Sequence, residues 1–177
     1  MKNTLIFIVA IVIAGGSGFA LHKYLNQKQD LSNPALGLQR PEFAVADLNG
    51  DMRNIKEWDG KLVLLNFWAT WCPPCKKEIP DFIKLQTAYG EQGFQIVGIA
   101  IDDKEATEEY AQKVGMNYPS LVAAEEGVQL AQRFGNVAGV LPYSVIINRT
   151  GKISSTIRGE LSILKAKELL ENHGIQL

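Results

Sequence analysis

The 177-residue sequence contains only two cysteines and two histidines, few aromatics at 8%, and almost no net charge at −1. Each shortage excludes something. Two cysteines cannot build a disulfide framework, so the fold must rest on an apolar core. A near-neutral chain with no run of Lys and Arg interleaved with aromatics has no general attraction for nucleic acid or acidic membranes. The histidines, His22 and His173, lie close to opposite ends of the chain. With Cys72 and Cys75 they do not supply a four-ligand zinc site. No internal repeat or low-complexity segment stands out. What remains, 46% hydrophobic and 21% charged residues, is ordinary for one globular domain with a real core.

Lys2 precedes an almost unbroken apolar stretch from Leu5 to Leu21, relieved only by Gly15, Gly16, Ser17 and Gly18. That is about the shortest span that crosses a bilayer as a helix, about 18 residues. Residues 1–25 are therefore read as a signal-anchor, in preference to a signal peptide cleaved after Gly18-Phe19-Ala20. No cysteine follows the run, which excludes a lipid-modified N-terminus. Either reading exports the domain. Lys23 and Lys28 weaken the charge bias that sets orientation, leaving topology to the short N-terminal tail. Residues 26–40, polar and carrying Pro34 and Gly37, suit a linker, and 41–177 form the folded domain.

Within the domain, Phe43–Ala46 and Met52–Ile55 flank an Asn49-Gly50 turn signal and predict a hairpin. Lys61–Trp68 and Phe94–Ile101 are continuous apolar runs of the kind buried on both faces of a parallel sheet. Between them Ile79, Phe82, Ile83 and Tyr89 recur at helical spacing, ended by Gly90 and Gly93. An acidic, exposed helix is predicted over Asp102–Val114, a strand over Pro119–Ala123 and a helix over Val128–Phe134. Tyr143–Ile147 and Lys152–Ile157 bracket Asn148-Arg149-Thr150-Gly151 as a second hairpin. Leu161–His173 closes the chain as an amphipathic helix stopped by Gly174. The order implies an α/β sandwich around a mixed sheet.

Both cysteines lie in Trp71-Cys72-Pro73-Pro74-Cys75, where a strand gives way to a helix. If that helix starts near Pro73, whose missing N–H costs nothing at the first position, Cys72 is the cap and Cys75 lies in the first turn. Cys72 is then exposed beside unpaired N–H groups and the positive end of the helix, which favour its thiolate. Cys75 is the more buried. The pair is read as a redox centre, with Cys72 as attacking nucleophile and Cys75 as resolving thiol through a mixed disulfide. An inert structural disulfide closing so short a loop constrains the unfolded chain little.

The block Asn66-Phe67-Trp68-Ala69-Thr70-Trp71-Cys72-Pro73-Pro74-Cys75-Lys76-Lys77-Glu78-Ile79-Pro80 resembles the active-site segment of the thioredoxin superfamily, and within it the membrane-anchored TlpA/ResA-like thiol–disulfide oxidoreductases. The resemblance covers roughly residues 41–177. It implies a thioredoxin-like fold with the leading hairpin and an inserted helix–strand unit. It also implies protein thiol or disulfide clients, electrons from a membrane thiol reductase, no cofactor, and c-type cytochrome maturation as one pathway. By resemblance Pro142 is a cis-proline facing the cysteines, and Leu141 offers its backbone to a client strand. Trp71, Pro73 and Pro74 complete the client-binding surface. Trp68 is read as core and Pro80 as a kink in the helix.

Thioredoxins proper place an Asp where Asn66 stands. The TlpA/ResA-like pattern has Asn there and a carboxylate similar to Glu78. Two readings of Glu78 stay open, a buried proton carrier for Cys75 and a solvated helix residue. Three other functions compete with the oxidoreductase. A thiol peroxidase resembles Thr-x-x-Cys with an activating Arg, whereas Thr70 precedes Cys72 by two. A copper chaperone needs a later His ligand. A non-catalytic binding module needs cysteines that never cycle.

Overall fold

Two apolar runs make the centre of a five-stranded sheet. The computed structural model describes residues 33–177; the expected anchor and most of the linker lie outside the described residues. Strands β3 (Leu62–Trp68) and β4 (Phe94–Ala100) run parallel, paired from Leu62↔Phe94 to Trp68↔Ala100. The short β5 (Ser120–Val122) adds in parallel to β4, and β6 (Tyr143–Ile147) adds antiparallel to β3. With β7 (Ile153–Arg158) outside β6, the order is β5-β4-β3-β6-β7. The expected mixed sheet is present. The strand anticipated over Pro119–Ala123 shrinks to three residues, because only Gly98–Ala100 of β4 offers it a ladder.

Side chains alternate across these strands, so each face has its own core. Val63, Leu65, Phe67, Val97, Ile99 and Val145 meet Phe43, Trp58 and Phe134 on one side. Leu62, Leu64, Ile96 and Ile146 face Phe82 and Leu85 of helix α1 (Pro73–Tyr89) on the other. Helix α2 (Lys104–Val114) belongs to the inserted unit that ends in β5, and it is less exposed than its acidic composition suggests. Thr107 and Ala111 are buried. Helix α3 (Glu126–Arg133) supplies Leu130 to the first core, and α4 (Ile163–Asn172) supplies Leu169 and Leu170 to the second. Among the described residues no helix is long and apolar enough to cross a membrane.

The leading hairpin, β1 (Ala44–Ala46) and β2 (Met52–Asn54), forms a separate two-stranded sheet. It touches the main sheet through an Asp47↔Leu121 bridge. Its turn is closed by Asp47 Oδ1, which accepts N–H bonds from Asn49 and Asp51, and it needs Gly50 at φ 91°.

Residues 34–40, assigned above to the linker, are part of the folded unit, which begins at Pro34. The edge of β7 explains this, since its open backbone groups need partners. Ile153 N–H donates to Leu38 O at 3.0 Å, and Gly37 N–H donates to Ile153 O at 2.8 Å. Ala35 is buried in the first core, and Arg40 pairs with Glu42 and Asp59.

Candidate active site

The site forms where β3 ends and α1 begins. Cys72 caps α1 in an extended conformation, Pro73 takes the first helical position, and Cys72 Sγ accepts the Cys75 N–H at 3.3 Å. The two cysteines form a disulfide with Cα atoms 5.3 Å apart. Cys72 is only 4% exposed and Cys75 fully buried. The expectation of an exposed Cys72 is therefore corrected for this oxidised form. Both cysteines join a buried cluster with Trp68, Ala69, Ile79 and Ala100. The relative order of burial is as expected.

Of the residues expected to meet clients, Trp71, Pro73 and Pro74 are exposed and Leu141 and Pro142 are not. Trp71 is 64% exposed, and Pro73 and Pro74 are exposed beside it. The Leu141–Pro142 peptide is cis. Pro142 is buried, and Leu141 packs against the cysteine cluster. Trp68 lies in the core as read, with its ring 5.6 Å from that of Tyr110.

Beneath the cysteines, Glu78 is 3% exposed, so of its two readings the buried one describes its surroundings. Its Oε1 accepts from Asn66 Nδ2 at 2.8 Å and its Oε2 from the Leu161 N–H at 2.7 Å. Burial dominates over both bonds and pushes the carboxyl from 4.5 up to about 7, with a small further push from the charge of Glu160. A group with that value exchanges protons near neutrality.

Two further residues hold this site together and were missed by sequence reasoning. Asp102, just past β4, accepts from both Thr70 N–H (2.8 Å) and Thr70 Oγ1–H (2.6 Å), clamping the loop that delivers Cys72. The only available signal was an acid at the carboxyl end of a central strand. Removing a charged acceptor with two bonds is expected to cost about 2 kcal/mol. Asp102→Ala should lower the unfolding free energy in urea by that amount, and Asp102→Asn, which keeps an acceptor, by less. The second residue is Tyr110. Pro80 has no N–H to give to the Lys76 carbonyl one turn back. Tyr110 Oη–H of α2 donates to that carbonyl instead, at 3.4 Å.

The sequence profile of the AhpC/TSA family matches residues 36–156. The chain belongs to that family. It is also 33% identical to the thiol–disulfide oxidoreductase ResA of Bacillus cereus, over 97% of this chain and 95% of that one. Identity to the ResA of Bacillus anthracis is 34% with the same coverage. A crystal structure of a thioredoxin-family thiol:disulfide interchange protein from Chlorobium tepidum superposes with a TM-score of 0.70 at 29% identity, covering 78% of this chain and 97% of the other. A solution structure of a putative thioredoxin from Neisseria meningitidis gives 0.67 at 31% identity, covering 76% and 88%. This AhpC/TSA-family chain is thus a thioredoxin-like thiol–disulfide oxidoreductase, as the active-site block implied.

Proposed function

We propose that the enzyme is exported and works as a reductant of client disulfides, with Cys72 and Cys75 as its exchanging pair. The observation that carries the exchange chemistry is Cys72 Sγ at the cap of α1, already accepting a backbone N–H. In the reduced enzyme the same N–H and the helix terminus favour a Cys72 thiolate. That thiolate attacks one sulfur of a client disulfide, forming a mixed disulfide and expelling the other client sulfur as thiolate. Cys75 then gives its proton to the Glu78 carboxylate and attacks Cys72 Sγ. The second client sulfur leaves, and the enzyme ends with the Cys72–Cys75 disulfide. Two electrons have passed to the client, and the proton held by Glu78 follows to a departing thiolate.

The client lies across Trp71, Pro73 and Pro74 and pairs with the Leu141 backbone beside Pro142. A membrane thiol reductase restores the dithiol, since the outer compartment offers no thiol pool. The domain is held on the outer face by residues 1–25, or released there if that segment is cleaved. Maturation of c-type cytochromes is the pathway that the family resemblance supports. For the peroxidase alternative, Thr70 is the nearest threonine before Cys72, and its hydroxyl is engaged by Asp102.

Cys75→Ser tests the reading. Expressed in cells and recovered without reductant, the variant should carry clients as mixed disulfides on Cys72. Trapping by Cys72→Ser instead reverses the two roles, and trapping by neither variant favours the binding module.

A further inference from the structure

One rung of the sheet carries almost no apolar bulk. Ser144 of β6, Asn66 of β3, Gly98 of β4 and Ser120 of β5 are successive register partners across four strands. Their sequence neighbours Val145, Leu65, Phe67, Val97, Ile99 and Leu121 all belong to the opposite core. By alternation the four therefore stand on the face covered by α1. Glu78 meets this rung from α1 through Asn66 Nδ2, which also donates to Ser144 Oγ at 3.1 Å.

Three buried polar atoms here have no protein partner: Asn66 Oδ1, Trp68 Nε1 and Ser120 Oγ. Two of them converge over Gly98. A methyl group built on that glycine would stand 3.0 Å from Trp68 Nε1 and 3.6 Å from Ser120 Oγ. Buried polar atoms are nearly always bonded, and internal waters serve such groups with about three hydrogen bonds each. Trp68 Nε1 and Ser120 Oγ flank a residue with no side chain, and Asn66, the register partner of Gly98, brings the third unbonded atom, an acceptor, to the same rung. We infer that a single water molecule is bound over Gly98, accepting from Trp68 Nε1–H and donating to Asn66 Oδ1 and Ser120 Oγ.

This water gives Asn66 a fixed orientation. With Oδ1 held by the water, both amide protons are directed to Glu78 and Ser144. The polar chain from Glu78 then runs through Asn66 to Trp68, directly behind the disulfide. The inference extends the reading of Glu78 as proton carrier, yet its test is independent of that reading.

Water-edited heteronuclear NMR on the full-length oxidised protein reads the Trp68 indole N–H directly. A cross-peak between that proton and water is expected, and its absence overturns the inference. In Ser120→Ala the peak should weaken and persist, because Trp68 and Asn66 still hold the water. Its complete loss would mean that the serine hydroxyl had turned to the indole and produced the signal, which also overturns it. In Gly98→Ala the added methyl should remove the peak, and survival of the peak places the water elsewhere. The first two readouts stand even if Gly98→Ala does not fold. A failure of Glu78 to govern the pH dependence of exchange leaves the indole signal untouched, so the two ideas fail separately.

Discussion

Cys72→Ser is expected to reduce catalysis of insulin disulfide reduction by dithiothreitol to the rate of dithiothreitol alone. The hydroxyl cannot replace the sulfur as nucleophile or as partner in a mixed disulfide, so no fraction of the cycle survives. Cys75→Ser should react once and stall, because Cys72 still attacks but nothing resolves the intermediate. The two variants thus separate a silent enzyme from an arrested one, visible as a client-sized mass adduct only in the second. The pH dependence of alkylation of the reduced wild type gives a further check. Cys72 should react half-maximally below the free-thiol value of about 8.5. A midpoint at or above it removes the physical basis for Cys72 as nucleophile.

The second large effect belongs to Glu78. Its folded carboxyl titrates at about 7 against an ordinary 4.5. Between those values the folded protein holds a proton that the unfolded chain has lost. Folding is therefore favoured by acid: the contribution of Glu78 is fully present below pH 4.5 and disappears as pH rises through about 7. At about 1.4 kcal/mol for each pH unit, the interval corresponds to about 3 kcal/mol. Urea unfolding of the oxidised wild type should show stability falling across that window, and Glu78→Gln should be nearly flat there. The amide oxygen of the substituted side chain still offers an acceptor to Leu161 N–H, so the variant should fold. The same substitution should blunt the rise of exchange rate near neutrality if Glu78 handles the Cys75 proton. A wild type whose stability rises over this range would contradict the assigned burial effect.

Much of the architecture was legible because its causes are local or face-wide. β3 and β4 read as buried strands since both faces of a central strand demand apolar side chains, and every residue of β3 is buried. Gly50, Gly151 and Gly174 marked turns and a helix end because each adopts a positive φ. The cap at Cys72 and Pro73 at the first helical position followed from the chemistry of helix ends. What escaped depends on contacts distant in sequence. The surroundings of Glu78 include Leu161 N–H, 83 residues away. Thr70 is held by Asp102 from the end of another strand. The packing of residues 34–40 answers the needs of β7, which no local pattern announces. Cys72 is buried in a cluster that Ala100 and Leu141, distant in sequence, help to form.

The contact of Tyr110 with Lys76 and Trp68 bears on how this enzyme can be remodelled. The insertion containing α2 fills a gap that Pro80 opens in the active-site helix and shields the indole behind the disulfide. Trimming the chain between Ile101 and Ser120 to a bare crossover would therefore reach the sulfurs themselves. It would wet the back wall of the redox centre and loosen the first turns of its helix, so any engineered miniature of this domain must keep a phenol, or a substitute for it, at that position.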